Sequence, residues 1–431
     1  MDSIDRDYEN EEVALRGSPS FRWMWVALAA LGSTLASAGV VVVVDPQGAP
    51  GAPLLQQALN TAADGDIVLV RAGSYLAATP FVVNGKGLTI ARDSAAGVQV
   101  APFSIQGVPA SSTFALRGLQ IIAPSIAPTP PVAAVSAQLC AGRIWIDDCA
   151  IQAAAGWYDA NAQLASDGGT AIDCLDVVGV VVTRCTVIGG KGAYNVALGT
   201  VTAGGSALRV SNGSATAHTT LFEGGDAGIG FTLVGTTFGG HGVDVSGVDG
   251  LLAGCVVRGG DATIGWPANT IPGYGLIAAG STVRVRDTPI DAGVGPIPGV
   301  IGPPVFSAQS TITTSSTPAY SLQIANVVRS GSTLKLFSRG PVGGLGLVFV
   351  GTAGPALAAP AYEGTFLFNV SAFVGPIVLG TIPFGGNLVT TTTAPPLPAG
   401  LDGVVLVLQT AVLPNATLEA ATLYVQVGAD V

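Results

Sequence analysis

Apolar residues recur along residues 134–292 in short alternating runs, and the runs repeat about every 35 residues. Alternation with a period of two and many β-branched residues predict strands rather than helices. One column of the repeat is spaced by 36, 35, 35 and 32 residues and holds Cys149, Cys185, Thr220, Cys255 and Asp287. Such a period is typical of a solenoid, in which each unit buries its apolar face only against its neighbours. The pattern predicts an all-β fold built on a parallel β-helix, right-handed because parallel crossovers take that hand.

Each unit carries a polar or small pair just before this column, where we expect a bend at the surface. The pairs are Asp147-Asp148, Thr183-Arg184, His218-Thr219 and Ala253-Gly254. On this interpretation His218 is a solvated residue. Aligned insertions between successive units predict a row of loops along one side of the helix. Loops on a rigid scaffold are where binding residues usually lie.

The region before the repeats predicts a first strand and a cap. Val40–Val44 is a β-branched run, and a short helix follows over Leu54–Ala63. One face of this helix holds Leu54, Leu55, Ala58, Leu59 and Ala62. A solenoid exposes unpaired backbone and apolar side chains at its end unless something covers it. We therefore interpret the helix as an N-terminal cap.

The stretch from Val44 to Tyr75 resembles the first segment of secreted bacterial proteins of the pectin-lyase-like right-handed β-helix superfamily. Those proteins typically begin with a strand, a short helix, a G-D-x-I-x-V strand and G-x-Y. Gly85–Ile90 and Leu116–Ile122 resemble their early coils. The resemblance covers about residues 40–292. It implies the fold rather than an activity, because the superfamily holds lyases, hydrolases, adhesins and structural helices.

The chain changes character after residue 292. Residues 293–306 are rich in proline and glycine and predict a linker. The 35-residue period is lost over residues 307–431, where turn-punctuated strand-like runs predict a β-sandwich. The predicted domains are therefore a signal segment at 1–38, a capped β-helix at 39–292, the linker and the sandwich.

The N-terminal segment predicts export. Trp23–Val44 has no charged residue, and Ala36-Ser37-Ala38 within it has the small-x-small form of a signal-peptidase site. The alternative is a membrane anchor, since 22 uncharged residues are long enough to span a bilayer. We expect a secreted or cell-surface protein, associated with a membrane only if this segment is not cleaved.

The amino-acid composition limits the kinds of binding partner that we expect. The net charge is −10, only 10% of the residues are charged and no basic patch appears, so nucleic acid is not an expected partner.

Export permits disulfides, and Cys149–Cys185 or Cys140–Cys174 would join adjacent coils. The alternative, which we favour, is a set of small buried thiols.

Two short motifs resemble parts of enzyme sites. Trp145-Ile146-Asp147-Asp148 resembles the W-I-D-H element of pectate lyases, whose Asp helps to hold calcium. The remaining calcium carboxylates and the R-x-P-x-x-R element of that family are missing. Gly240-His241-Gly242 resembles the G-H-G of polygalacturonases, but the N-T-D and D-D segments are absent. His241 shares its repeat column with Thr170, Ser206 and Tyr274, which favours a turn position.

Two other patterns predict a ligand site beside the loop row. One outward-facing column of consecutive units holds Asp173, Arg209 and Asp244. These residues either form the polar floor of a groove or only alternate in charge to relieve repulsion on the surface. Aromatic residues recur in equivalent loops, either as a sugar-stacking strip or to pin each loop to the helix. They are Trp157, Tyr158, Tyr194, Phe231 and Trp266. Asp226 and Asp261 begin adjacent loops and are candidate ligands for a shared Ca²⁺, and no other cofactor is expected.

These features leave two classes of function open. The favoured one is a non-catalytic extracellular protein that binds a polysaccharide or cell-surface glycan, or forms part of a surface structure. The alternative is a polysaccharide lyase or glycoside hydrolase of the pectin-lyase-like kind. Acid–base catalysis would require acidic and basic side chains to converge on one substrate atom in a cleft. No sequence motif identifies catalytic residues.

Overall fold

The computed structural model describes most of the chain after residue 38. The described ranges are 39–46, 54–125, 129–159, 164–195, 200–228, 237–262, 270–295, 302–358, 365–394, 396–397, 402–413 and 417–429. The predicted signal segment lies outside them. Within these ranges, no helix is both long and apolar enough to cross a bilayer. The fold is all-β and consists of a parallel β-solenoid followed by further sheets.

Two parallel sheets form the walls of the solenoid. Sheet A consists of Val41–Val44, Ile67–Val70, Phe81–Asn84, Thr89–Arg92, Phe103–Gln106, Thr113–Arg117, Val135–Asp147, Ile172–Thr183, Leu208–His218, Val243–Ala253, Leu276–Ala279, Thr282–Arg286, Val305–Ala308 and Thr311–Ser315. Sheet B consists of Gly73–Tyr75, Val98–Val100, Gln120–Ile122, Ala150–Gln152, Thr186–Ile188, Leu221–Glu223, Val256–Arg258 and Ile290–Asp291. The repeat thus becomes one long and one short strand per coil, and the predicted parallel β-helix is confirmed.

The repeat column lies in the turn between the two sheets and stacks from coil to coil. The Cys149 amide lies 3.4 Å from Cys185 Sγ, and the Cys185 amide donates to Thr220 Oγ1 at 3.2 Å. In the last unit the Cys255 amide donates to Thr288 Oγ1 at 3.1 Å, so Thr288, not Asp287, holds this column. Asp287 belongs to the preceding column, where the backbone turns left-handed, with a φ of 44°.

The left-handed column explains the predicted bend. Asp148, Arg184 and Thr219 have φ values of 55°, 52° and 50°, and Gly254 has 62°. One residue per coil in this conformation turns the chain from sheet A into sheet B. The sequence therefore predicts the position of the bend correctly. The first residue of each predicted pair, such as Asp147, is nevertheless buried, as described below.

The short helix Leu55–Thr61 lies at the N-terminal end of the solenoid, as the cap interpretation requires. Leu55, Ala58 and Leu59 are buried and belong to the solenoid core, and Ala62 follows them. Leu54 differs from the prediction, because it lies before the helix and is 66% exposed.

The solenoid continues past residue 292, where the sequence analysis ended it. Val305–Ala308 pairs with Leu276–Ala279, and Thr311–Ser315 pairs with Thr282–Arg286, both in parallel. These strands extend sheet A beyond the proline-rich stretch, part of which, residues 296–301, lies outside the described residues. The stack thus includes residues that were assigned to the linker and the sandwich. The division into domains otherwise stays a prediction.

Two further sheets follow the solenoid. Sheet C is antiparallel and contains Ser321–Gln323, Thr333–Arg339 and Asn387–Thr393. Sheet D contains Val328–Arg329, Leu345–Ala358, Thr365–Thr381, Gly403–Leu413 and Thr417–Val427. Side chains of both sheets share one hydrophobic cluster, which includes Leu334 and Leu336 of sheet C and Val348 and Val350 of sheet D. The arrangement fits the two layers of the predicted sandwich, which stays a prediction.

Sheet D makes packing contacts on both of its faces, because the face that points away from sheet C packs on the outside of sheet A. Successive side chains of a strand point to opposite faces, so Val348 faces sheet C while Leu347 and Phe349 face the solenoid. The solenoid residues in this contact are Ile67, Leu69, Ala91, Ala115, Trp145 and Val181. Trp145 is fully buried by it. Its place in the W-I-D-H-like motif therefore reflects packing between sheets.

All five cysteines are free and buried. Cys140 pairs in register with Val177, and Cys174 pairs with Ala137, so these two thiols are not rung neighbours. Cys149 and Cys185 are neighbours, but their contact is from a backbone amide to sulfur. The thiols are packed as small apolar groups, as the sequence analysis favoured.

Candidate functional site

Pairs of glycines form the narrow necks from which the loops leave the solenoid. Gly190 donates to the Gly169 carbonyl at 2.9 Å, Gly205 to Gly190 at 2.8 Å, and Gly225 to Gly205 at 2.8 Å. The same alternation continues through Gly240, Gly260, Gly273 and Gly293. A Cβ atom at Gly190 would lie 1.8 Å from the Ala154 carbonyl oxygen. Only glycine permits this approach, so the glycines that open each unit also hold the loops in one row.

Two adjacent loops form matching antiparallel ladders. Tyr158 pairs with Ala165 in one, and Tyr194 pairs with Val201 in the next. Both tyrosines are half-buried and occupy equivalent positions, 36 residues apart. Since adjacent coils lie about 4.8 Å apart, the two tyrosines occupy successive backbone positions, or rungs, along the side of the solenoid.

Trp157 does not belong to these rungs. Its equivalent in the next loop is Ala193, because the Trp157 amide donates to Ser166 Oγ at 3.0 Å and the Ala193 amide to Thr202 Oγ1 at 2.7 Å. The indole is only 9% exposed, and its Nε1 donates to the Thr129 carbonyl at 2.6 Å. Trp157 therefore pins its loop, which is the alternative that the sequence analysis kept open. Phe231 and Trp266 lie outside the described residues, and their part in a strip stays a prediction.

The ladder Asp173, Arg209 and Asp244 is in register on the outer face of sheet A. Arg209 binds Asp173 through two contacts, Nε to Oδ1 at 2.8 Å and Nη2 to Oδ2 at 2.6 Å. This hydrogen bond raises the pKa of Arg209, which stays a cation. Burial raises the pKa of Asp244, although His241 and Arg209 act in the opposite direction. The face thus carries one neutralised ion pair and one further carboxyl group.

Three rings extend this face beyond Asp244. The His241 and Tyr274 rings lie 5.7 Å apart, and those of Tyr274 and Phe306 lie 5.6 Å apart. His241 Nδ1 accepts a hydrogen bond from the Tyr274 amide at 3.2 Å. Burial lowers the pKa of His241, with Asp244 opposing the shift. Sequence reasoning missed Phe306, because its proline-rich surroundings indicated a linker rather than another coil.

The two aspartates suggested for calcium already have partners. Asp226 Oδ2 lies 2.8 Å from Lys191 Nζ, and Asp226 Oδ1 accepts the Asp261 amide at 3.1 Å. Asp261 Oδ1 in turn accepts the Val294 amide at 2.8 Å. In the part of the chain that the structure describes, no cluster of three or more His, Cys, Asp or Glu residues could hold a metal. Calcium stays a prediction without further support.

A second polar ladder lies on the same sheet but is buried under sheet D. It contains Arg117, Asp147, Thr183, His218 and Arg286 at equivalent positions of the stacked coils, with Ala253 in the coil between the last two. Each is at most 2% exposed. His218 is thus not the solvated residue that the sequence predicts, and Asp147 is unavailable to a metal at a substrate groove. Nothing in the sequence pattern marks which part of sheet A is covered.

Comparisons with known proteins add little to this picture. No protein-family profile and no curated protein matches the chain. A solved structure of a PL6 family alginate lyase mutant is similar at a TM-score of 0.28 and 13% identity, over 64% of this chain and 40% of that one. The chain therefore spans about two fifths of the length of that structure. Function has to be inferred from the residues of this chain.

Proposed function

We propose that this chain is a secreted, pectin-lyase-like β-helix protein that binds a glycan without cleaving it. The supporting observation is the pair of equivalent tyrosines, Tyr158 and Tyr194, on loops that stand in a row beside an outward polar ladder. Amphipathic rings offer large contact areas at low entropic cost, and their phenol groups supply hydrogen bonds for sugar hydroxyls. Rungs repeated from coil to coil suit a polymer of repeated sugar units.

The charges of the ladder favour binding over catalysis. Arg209 is held by both oxygens of Asp173 and its pKa is raised, so it is not available as a base. A neutralised ion pair beside one carboxyl group offers donors and acceptors to hydroxyl groups and no net positive charge to carboxylates. The proposed ligand at this face is therefore a neutral glycan.

A gel-retardation panel of neutral and acidic polysaccharides tests the proposal with the purified full chain. We expect retardation by at least one neutral polysaccharide, and clear loss of retardation in the double variant Tyr158→Ala/Tyr194→Ala. Leu76→Ala, which removes an exposed apolar side chain elsewhere on the solenoid, is the matched control. Equal mobility of wild type and the tyrosine variant on every retarding polymer would contradict the proposal. Release of reducing ends or unsaturated uronates would instead favour the lyase or hydrolase alternative.

A further inference from the structure

The outer face of sheet C carries an open groove that no other part of the chain covers in the described residues. The groove has a volume of about 410 Å³. Its outward side chains are Ser321, Gln323, Phe337, Arg339 and Asn387. None of its lining residues is acidic. Phe384, which is 97% exposed, lies in the adjoining turn beside the lining residue Gly385.

The strand pattern explains why these side chains meet. Burial alternates along Thr333–Arg339, so Lys335, Phe337 and Arg339 point outward while Leu334 and Leu336 enter the core. Phe337 pairs with Gln323 on one side and Val389 on the other. Arg339 pairs with Ser321 and Asn387 in the next row. The face therefore places an exposed ring beside hydroxyl, amide and guanidinium groups.

The two cations of this face differ from the third basic residue of the C-terminal region. Residues 307–431 contain three basic side chains. Arg329 forms an ion pair of 2.6 Å with Asp93 of the solenoid. Lys335 and Arg339 have no carboxylate within ion-pairing distance among the described residues. A chain with a net charge of −10 thus leaves two cations unpaired on the same strand, on either side of one ring.

We propose that this face is a binding site for an acidic polysaccharide, a chain of uronate sugars. Phe337 would stack on a sugar ring, because an exposed aromatic face offers contact to the apolar side of a pyranose. Arg339 would bind one carboxylate in bidentate fashion, and Lys335 would attract another. Four residues of extended strand separate these cations by about 13 Å, which exceeds a single sugar ring. The site therefore fits an oligosaccharide rather than a monosaccharide.

The same features disfavour nucleic acid as the occupant. A duplex carries one charge per about 1.7 Å, and its affinity comes from several phosphate contacts. Two cations and one ring do not supply that number. A uronate chain carries one carboxylate per sugar and many hydroxyls, which the Ser321, Gln323 and Asn387 side chains can bind. Because charges separated by more than about 8 Å are screened at physiological salt, the local cations outweigh the negative charge of the rest of the molecule.

This inference uses none of the residues of the proposed solenoid site. The two sites also differ in the ligand that they favour. In the described part of the chain, the cation of the ladder face, Arg209, is paired with Asp173, whereas the two cations of the sheet C face are unpaired. Failure of one proposal therefore leaves the other standing.

Isothermal titration calorimetry of the full chain tests the inference with oligogalacturonate and oligomannuronate. The comparison ligands are the same oligosaccharides with their carboxylates reduced to alcohols. We expect at least one uronate to bind about 10-fold more tightly than its reduced form, with an affinity that falls as salt increases. Lys335→Gln and Arg339→Gln should each weaken binding about 5-fold, the double variant about 30-fold, and Phe337→Ala about 10-fold.

Two variants serve as controls. Arg71→Gln and Arg258→Gln each remove an exposed cation of the solenoid and should leave the affinity unchanged. All these positions are exposed, so each variant should unfold at nearly the wild-type temperature. The inference is overturned if neither uronate binds, if the Tyr158→Ala/Tyr194→Ala variant binds the reduced sugars as tightly as the uronates, or if the Lys335→Gln/Arg339→Gln double variant keeps wild-type affinity. Equal affinity for duplex DNA would also overturn it.

Discussion

Sheet A carries two aspartate–arginine pairs of the same length in opposite surroundings. Asp147 lies 2.6 Å from Arg117, and Asp173 lies 2.6 Å from Arg209. Both side chains of the first pair are 0% exposed, whereas those of the second are 25% and 48% exposed. Both pairs join neighbouring coils. The comparison shows that the same type of ion pair serves two purposes in this repeat. The buried pair stabilises the contact with sheet D, and the exposed pair forms part of a polar, solvent-accessible face.

The buried pair has several further hydrogen-bond partners, although Arg117 Nε has none among the described residues. Asp147 also accepts from Thr183 Oγ1 at 2.7 Å and from the Leu423 amide at 3.2 Å, and it contacts Arg184. Arg117 donates to the Ala325 carbonyl at 3.0 Å. Burial by itself raises the pKa of Asp147, but Arg184 and Arg117 hold it below its usual value. Such a cluster tolerates burial only with all of its partners present.

The largest effect is expected from Asp147→Asn. This change keeps the shape of the side chain and leaves Arg117 buried without its counter-charge, which costs about 3–5 kcal/mol. Chemical denaturation should show the loss as a lower midpoint with an unchanged slope. The matched control is Asp173→Asn, which breaks the exposed pair. Equal midpoints for these two variants would contradict the view that sheet D desolvates the Asp147 cluster.

A second prediction concerns pH and follows from His218 in the buried ladder. Burial lowers the pKa of His218 to about 3, and the Arg286 charge acts in the same direction. Neither ring nitrogen has a hydrogen-bond partner among the described residues. The unfolded chain therefore binds a proton between pH 6.5 and 3 that the folded chain does not. This contribution to stability is complete above pH 6.5 and is lost as the pH falls, by about 2 kcal/mol down to pH 5.

Stability curves of His218→Gln and wild type between pH 5 and 7.5 check this prediction. The variant should lose the pH-dependent part of its unfolding free energy. The chain has two histidines, and the pKa of His241 is also lowered. The experiment is therefore best done in a His241→Gln background. Parallel curves for the two proteins would show that His218 is already protonated or solvated in the folded state.

The sequence predicts the solenoid well, because its repeat records which side chains face the core of each coil. Strand order, the bend and the cap follow from that alternation and from glycine. Its errors about burial have one cause, which is that an outward position gives the same sequence pattern whether water or another sheet lies beyond it. Asp147 and His218 were placed at the surface for that reason. Phe306 was missed for another reason, since a coil interrupted by prolines loses its period.

The candidate site was predicted in part. The ladder Asp173, Arg209 and Asp244 was placed on the correct face because register follows from the repeat spacing. Trp157 and Tyr158 were both assigned to the aromatic strip, but only Tyr158 occupies the position equivalent to Tyr194. A single residue decides whether a ring is buried or half-exposed, and spacing alone does not resolve it. The groove on sheet C could not be predicted from the sequence, because residues 307–431 have no repeat that shows which side chains lie side by side.

The smallest effect is expected at the exposed pair. Arg209→Gln should change the unfolding free energy by at most about 1 kcal/mol, because water replaces the lost partner of Asp173. A double-mutant cycle with Asp173→Asn would measure their coupling, which should be below about 1 kcal/mol and fall further at high salt. A coupling as large as that of Arg117 with Asp147 would mean that the ladder face is covered in solution. It would then be an interface rather than the open glycan-binding face proposed here.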